Sequence, residues 1–356
     1  MQGEKQMSVK DTGAKDFLAD SRRFADLCNY YLFDGRHVLD ADDLQPQDST
    51  ELISAVNATS KALANAGNAL GITDKSLSTQ KWRDILKKAV IKRTDSRIYI
   101  IIGIENQTDI HYAMPVRNML YDALNYSRQT NESAKQHYHD KDYSNSGEFL
   151  SGFKKTDRLT PVITLTVYWG SDAWDAPRSL HDMMNTEDKE LLNFVSDYRL
   201  NLIVPNEITD FGKFRTSLGL VLEAIKCSSD EAAMGQLFNS NPLFKALDIE
   251  TANAINTFTH LNLHFNKKEA TTNMCKAWDD HRLSGKIEGK IEGSTLKLID
   301  QTIKKVKKGC SAEQIADMLE ESIETIQPIY DIIVSMKSEY DAEKVYELLN
   351  RTPVPA

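Results

Sequence analysis

Cysteine is scarce: there are four in 356 residues, Cys28, Cys227, Cys275 and Cys310, with no Cys-x-x-Cys pair and no close spacing. That scatter excludes a disulfide framework and a zinc ribbon. Long apolar runs are missing too. The longest, residues 98–104, falls far short of the roughly 20 residues a membrane helix needs, and residues 1–15 are polar, without the apolar centre of a secretion signal. The expectation is a soluble cytoplasmic chain with no membrane partner. Net positive charge is also lacking, since 43 Lys+Arg against 52 Asp+Glu leave a formal charge of -9. An acidic total speaks mildly against a non-specific nucleic-acid binder, because affinity for phosphate backbones comes from Lys and Arg. What is present is an ordinary globular composition, 41% hydrophobic and 27% charged. Its length suggests two domains, at roughly 100–200 residues each.

Residues 1–15 show no periodic apolar face and read as a mobile leader. Phe17, Leu18, Phe24, Leu27, Cys28 and Tyr31 then recur at helical spacing, predicting a helix that closes near Asp34-Gly35. An acidic loop follows, with six acids against one base over 34–51, and residues 54–70 read as a weakly packed helix or an insertion. Two β-branched runs, 85–92 and 98–104, flank a polar turn and predict a hairpin. The second run is apolar on both faces, as a central strand is. Pro115 suits the first turn of a helix carrying Val116, Leu120, Ala123 and Leu124 to about Gln129. A polar loop over 130–157 and strands near 160–169 and 200–204 come next. Residues 211–265 read as helical throughout.

A Gly-Lys-Ile-Glu segment at 285–288 is repeated at 289–292, inside an expected flexible linker. The end of the chain predicts two helices, the first with a Ser311/Gln314 capping box and the second capped by Ser322. Ten acids against Lys337 and Lys344 over 311–347 favour protein partners or self-association there over DNA contact. The domain reading is therefore a leader 1–15, an α/β domain 16–205, a helical region 206–280, a linker 281–310 and a helical pair 311–350.

The residues that carry chemistry sit at the hairpin. Side chains alternate along a strand, so Glu105 and Gln107 share a face while Asn106 takes the other. A carboxylate and an amide ending a strand built from isoleucine are costly to bury without partners, which points to a cleft. The hairpin brings the strand that follows Asp84 alongside the one bearing Glu105. Two carboxylates converging there make a hard-oxygen site suited to Mg2+ or Mn2+.

The stretch Trp82-Arg83-Asp84-Ile85-Leu86-Lys87-Lys88, with Gly103-Ile104-Glu105-Asn106-Gln107-Thr108 and residues 112–123, resembles the bacterial PD-(D/E)XK nuclease family transposases, related to the recombination-promoting nucleases. Thr166-Val167-Tyr168-Trp169-Gly170, residues 174–181 and the Gly-Lys-Ile-Glu repeat add to the likeness, which spans roughly residues 17 to 335. The resemblance implies a restriction-endonuclease-like mixed sheet flanked by helices, then an all-helical C-terminal region. It implies a Mg2+- or Mn2+-dependent endonuclease that hydrolyses DNA phosphodiesters and promotes recombination or mobile-element activity. By position, Asp84 and Glu105 would be metal ligands, the Asn106 carbonyl a third, and Gln107 would occupy the slot of the family's lysine. A Gln amide donates hydrogen bonds but carries no charge. That departure keeps a second reading open, a catalytically degenerate member that binds DNA or protein.

Six bases against one acid over 81–93 surround the proposed ligand. Arg83, Lys87 and Lys88 are candidate phosphate contacts, as is Arg117, although a solvated edge strand and a surface ion pair would explain them equally well. Other patterns are set aside. His137-x-His139-Asp140 lacks a third ligand at a known spacing, and His260 and His264 lack the glutamate of a zincin.

Overall fold

The computed structural model describes residues 9–47, 84–93, 96–266, 268–336 and 340–351. The segment 54–70 and Arg83 lie outside the described residues. The chain forms two compact units, Met1–Cys275 and Lys276–Ala356.

The first unit opens with α1 (Val9–Ala19) and α2 (Ser21–Phe33). The stretch expected as a leader is thus helical from Val9, and Ala14, Phe17 and Leu18 are buried. One expected helix is two because the Asp20 carboxylate accepts the Arg22 and Arg23 amides at 2.8 and 3.2 Å, capping a new start. The end falls where the sequence placed it. Asp34 and Gly35 turn left-handed, at φ 55° and 77°.

A five-stranded sheet follows, built from β1 (Leu44–Pro46), β2 (Ile85–Arg93) and β3 (Ser96–Gln107), then β4 (Val162–Tyr168) and β5 (Asn201–Ile203), in that spatial order. β1, β2 and β3 pair antiparallel, whereas β3, β4 and β5 pair parallel. The predicted hairpin is present, and β3 is central, as its apolar run implied. Between β3 and β4 run α3 (Met114–Asp140) and α4 (Ser146–Ser151), and α5 (Lys189–Leu192) precedes β5. α3 covers residues 130–140, read from sequence as loop. Those residues include the helix formers Glu, Ala, Lys and Gln but no apolar stripe, so a search for apolar periodicity passes over them.

The expected inner face of α3 is also corrected. Val116 and Leu120 are 41% and 44% exposed, while Met114, Asn118, Tyr121, Asp122 and Asn125 are buried. The buried stripe is largely polar, because hydroxyl partners on the sheet side receive it.

The rest of this unit contains α6 (Leu218–Cys227), α7 (Glu231–Ser240), β6 (Leu247–Asp248), α8 (Ile249–Thr259) and β7 (Thr271–Thr272). β6 and β7 form a short antiparallel pair in a region read as wholly helical. The next helix, α9 (Met274–Val306), runs through the residues expected as a flexible linker. Each interior glycine costs about 1 kcal/mol in a helix. The Lys, Ile and Glu residues between them favour the helix, and Ile299 and Ile303 anchor it in a core.

In the second unit that core joins Ile299 and Ile303 to Ile329, Ile333 and Val345. Three helices follow where two were expected, α10 (Ala312–Leu319), α11 (Ile323–Ser335) and α12 (Ala342–Arg351). The Ser311/Gln314 capping box and the Ser322 cap are both formed. Among the described residues, no helix is long and apolar enough to cross a membrane.

Candidate active site

The site lies where β2 begins and β3 ends. Ile85 pairs with Ile104, and the same antiparallel register continued by one residue sets Asp84 across from Glu105. The Asp84 Oδ2 accepts the Asn106 backbone N–H at 2.8 Å, which holds the carboxylate at the strand end. Glu105 is wholly buried at 0% exposure. Burial pushes the Asp84 carboxyl above its usual range, against the opposing pull of the Asn106 amide and the charges of Arg117 and Lys15.

Arg117 comes from the first turns of α3. Its Nη2 lies 3.0 Å from Glu105 Oε2, and its Nε donates to the Tyr121 hydroxyl at 2.9 Å. Burial works against the guanidinium charge, but Glu105 and Tyr121 together raise its pKa. Burial and the nearby Glu105 charge push the Tyr121 phenol up to about 12, so it stays a hydroxyl at neutral pH. The candidate phosphate clamp is therefore engaged with a carboxylate.

Asn106 and Gln107 are 7% and 8% exposed. The Asn106 Oδ1 accepts the Trp169 indole N–H at 2.9 Å, and Gln107 Nε2 donates to the Asn106 carbonyl at 2.9 Å. That carbonyl is the proposed third ligand, so the Gln107 amide is turned onto the oxygen a metal would use. Trp169 is fully buried and stacks on Phe258 at 4.4 Å, which makes it a packing residue.

Of the other basic candidates, Arg83 is outside the described residues, and the structure corrects Lys87. Its ammonium is buried, donating to the Ala19 carbonyl at 2.9 Å and the Ser21 hydroxyl at 3.0 Å above the Phe24 ring. Alternation along β2 turns Lys87 toward α1 and α2, away from the face that carries Asp84. Lys88, on the Asp84 face, lies 5.0 Å from the Tyr99 ring centroid.

Sequence reasoning missed a buried polar seam behind the site. Asn118 donates to Thr166 at 2.8 Å, and Thr166 is the β4 residue paired with Glu105. The Asp122 carboxylate accepts the Thr164 and Tyr198 hydroxyls, each at 2.6 Å. Asn118, Asp122 and Asn125 follow a helical spacing. That spacing is a legible signal, but the apolar positions Val116, Leu120, Ala123 and Leu124 drew the reading of the helix.

Residues 72–248 match the model of a family described as "Putative transposase, YhgA-like". Over those residues the chain belongs to this family. No curated protein and no solved structure matches the chain. The family segment contains Asp84, Glu105, Gln107, Arg117 and the whole polar seam.

The donors fit a hard divalent cation. Two carboxylates and a carbonyl meet at one strand end, and no third His, Cys, Asp or Glu joins them among the described residues. Mg2+ is ordinarily held by one or two carboxylates, with water and phosphate completing its shell. His137, by contrast, bonds Asp142 and Asp157 at 2.8 and 2.9 Å, which makes it a tie between α3 and the following loop.

Proposed function

We propose that the chain is a Mg2+- or Mn2+-dependent endonuclease of the PD-(D/E)XK type that hydrolyses DNA phosphodiesters in the service of recombination or mobile-element activity. The observation that carries this reading is the β2–β3 register, which sets Asp84 against Glu105 inside a transposase-family segment. Asp84, Glu105 and the Asn106 carbonyl would hold the metal. When bound, the metal would lower the pKa of an attacking water and offset the charge that develops on the phosphate. Asn106 fixes Asp84 through its N–H, and Trp169 fixes Asn106. Arg117 compensates the Glu105 charge until a cation arrives. Gln107, once turned from the Asn106 carbonyl, would donate to water or phosphate.

One observation favours a second reading, a degenerate member that binds DNA or protein without cutting: the Gln107 amide occupies the third-ligand oxygen. The test is nicking of supercoiled plasmid with Mg2+ or Mn2+. The endonuclease reading expects nicking by the wild type and its loss in Asp84→Asn and Glu105→Gln with folding kept. Binding without cutting would select the second reading.

A further inference from the structure

Every residue of α9 from 279 to 294 is exposed, and the Gly-Lys-Ile-Glu repeat lies in that stretch. A four-residue repeat in a helix of 3.6 residues per turn sorts its residue types into rows. Leu283, Ile287 and Ile291 form one row, at 57%, 50% and 58% exposure. Lys286 and Lys290 run along one side of that row and Glu288 and Glu292 along the other, each about 100° from the neighbouring isoleucine. Gly285, Gly289 and Gly293 lie behind it, where an added Cβ would meet nothing within 4 Å.

Alone in water, this stretch is poorly supported. Glycine disfavours the helical backbone, and three of them recur here. Like charges one turn apart repel, Lys286 against Lys290 and Glu288 against Glu292, and within residues 283–293 no opposite pair at three- or four-residue spacing offsets them. The apolar row faces solvent on a helix segment about 24 Å long, at 1.5 Å per residue.

A second copy of the same helix supplies what is missing. When apolar row meets apolar row in parallel, the two-fold axis carries the lysine row of one copy to the glutamate side of the other. Opposite charges then flank the contact on both sides. An antiparallel copy would instead set lysines against lysines and glutamates against glutamates. The order of charge across the apolar row therefore selects both the partner and its direction.

We propose that residues 283–292 of α9 form a homodimerisation surface on which a second copy of this chain docks in parallel, through Leu283, Ile287 and Ile291, with the Lys286/Lys290 row beside the partner's glutamate row. Helix rows spaced by four residues cross at about 50°, so the contact is short and the dimer should dissociate at about micromolar concentration. The surface is independent of the endonuclease reading.

The test is sedimentation equilibrium of the full chain from about 1 to about 100 µM, with each variant checked for the wild-type melting temperature at the lower concentration. The wild type should pass from monomer to dimer over that range. Ile287→Glu, at a site where the monomer loses no packing, should raise the dissociation constant at least about tenfold. Lys286→Glu combined with Lys290→Glu should weaken association in the same direction, and mixing that variant with Glu288→Lys combined with Glu292→Lys should restore it. Gly289→Leu, on the far side, should dimerise as the wild type does. Raising salt from about 50 to about 500 mM should loosen the wild-type dimer by screening its opposite rows. A wild type still monomeric at about 100 µM, or Ile287→Glu dimerising like the wild type, overturns the proposal. A dimer that tightens with salt contradicts the parallel direction, and a dimer lost in Gly289→Leu places the contact on the glycine row; either result overturns the assignment.

Discussion

Replacing Arg117 with methionine removes a charge while keeping much of the side-chain volume. Its partner, Glu105, has no exposure, and the Arg117 side chain is 25% exposed at 3.0 Å from it. Removing one member of a buried ion pair costs about 3–5 kcal/mol, and the partial exposure of Arg117 puts this pair near the lower end, about 3 kcal/mol. At about 2–4 °C per kcal/mol for a domain of this size, the metal-free variant should melt about 6–12 °C below the wild type. The source of the loss is a poorly compensated buried Glu105 charge, which protonation removes. The loss is then largest at high pH and shrinks on acidification, by at most about 1.4 kcal/mol per pH unit. A divalent cation replaces the missing charge. A site with a Kd of about 0.1 mM in about 10 mM metal gains about 2.7 kcal/mol, and the variant should gain more than the wild type because no guanidinium competes for Glu105. The assay is thermal melting at about pH 5.5 and about pH 8, with EDTA or with Mn2+. A variant within about 1 °C of the wild type at the higher pH in EDTA would refute the charge-compensation argument.

Three further outcomes follow from other parts of the molecule. Lys87→Met should cost about 1–3 kcal/mol, by removing a buried donor from the Ala19 carbonyl and Ser21 hydroxyl, and leave DNA affinity unchanged in a filter-binding titration; weaker DNA binding at equal stability would restore Lys87 to the phosphate contacts. His137 is held between Asp142 and Asp157, and against the desolvation that would lower it these hydrogen bonds raise its pKa. The charged form is therefore favoured by folding, its contribution is complete below the unfolded value of about 6.5, and it is lost as pH rises through the folded value. His137→Gln should lower the melting temperature more at about pH 5 than at about pH 9, and the reverse order would contradict the tie. Gly289→Ala meets nothing within 4 Å and sits inside a helix, so it should add about 1 kcal/mol of helix stability and raise helical circular dichroism. No gain in helicity would favour the flexible linker.

What the sequence revealed was local. The hairpin, the apolar run of β3 and the Glu105-Asn106-Gln107 strand end follow from β-branched spacing, and the Ser311 and Ser322 caps follow from a few neighbouring residues. The register that sets Asp84 across from Glu105 is not fixed by those runs, which leave it open by a residue; the pairing of Arg93 with Ser96 sets it. What escaped depends on tertiary partners. The buried face of α3 is polar because Thr164, Thr166 and Tyr198 lie opposite it, and those residues are 40 or more positions distant from their helix partners. Lys87 looked like a phosphate ligand because nothing local shows that α1 and α2 close over it. The start of α1 fell within a supposed leader, since a helix of eleven residues with few large apolar side chains has little periodicity to detect. The Gly-Lys-Ile-Glu repeat was read through its glycines, while the apolar anchors that hold its helix lie beyond the repeat itself.

Direct titration of Mn2+ into the metal-free chain, by calorimetry on the wild type, Asp84→Asn and Glu105→Gln, tests the central claim that these two carboxylates form one cation site. The account predicts one site per chain in the wild type and its loss in each variant, with all three proteins folded. Wild-type protein that binds no Mn2+, or variants that bind it as the wild type does, would contradict the account.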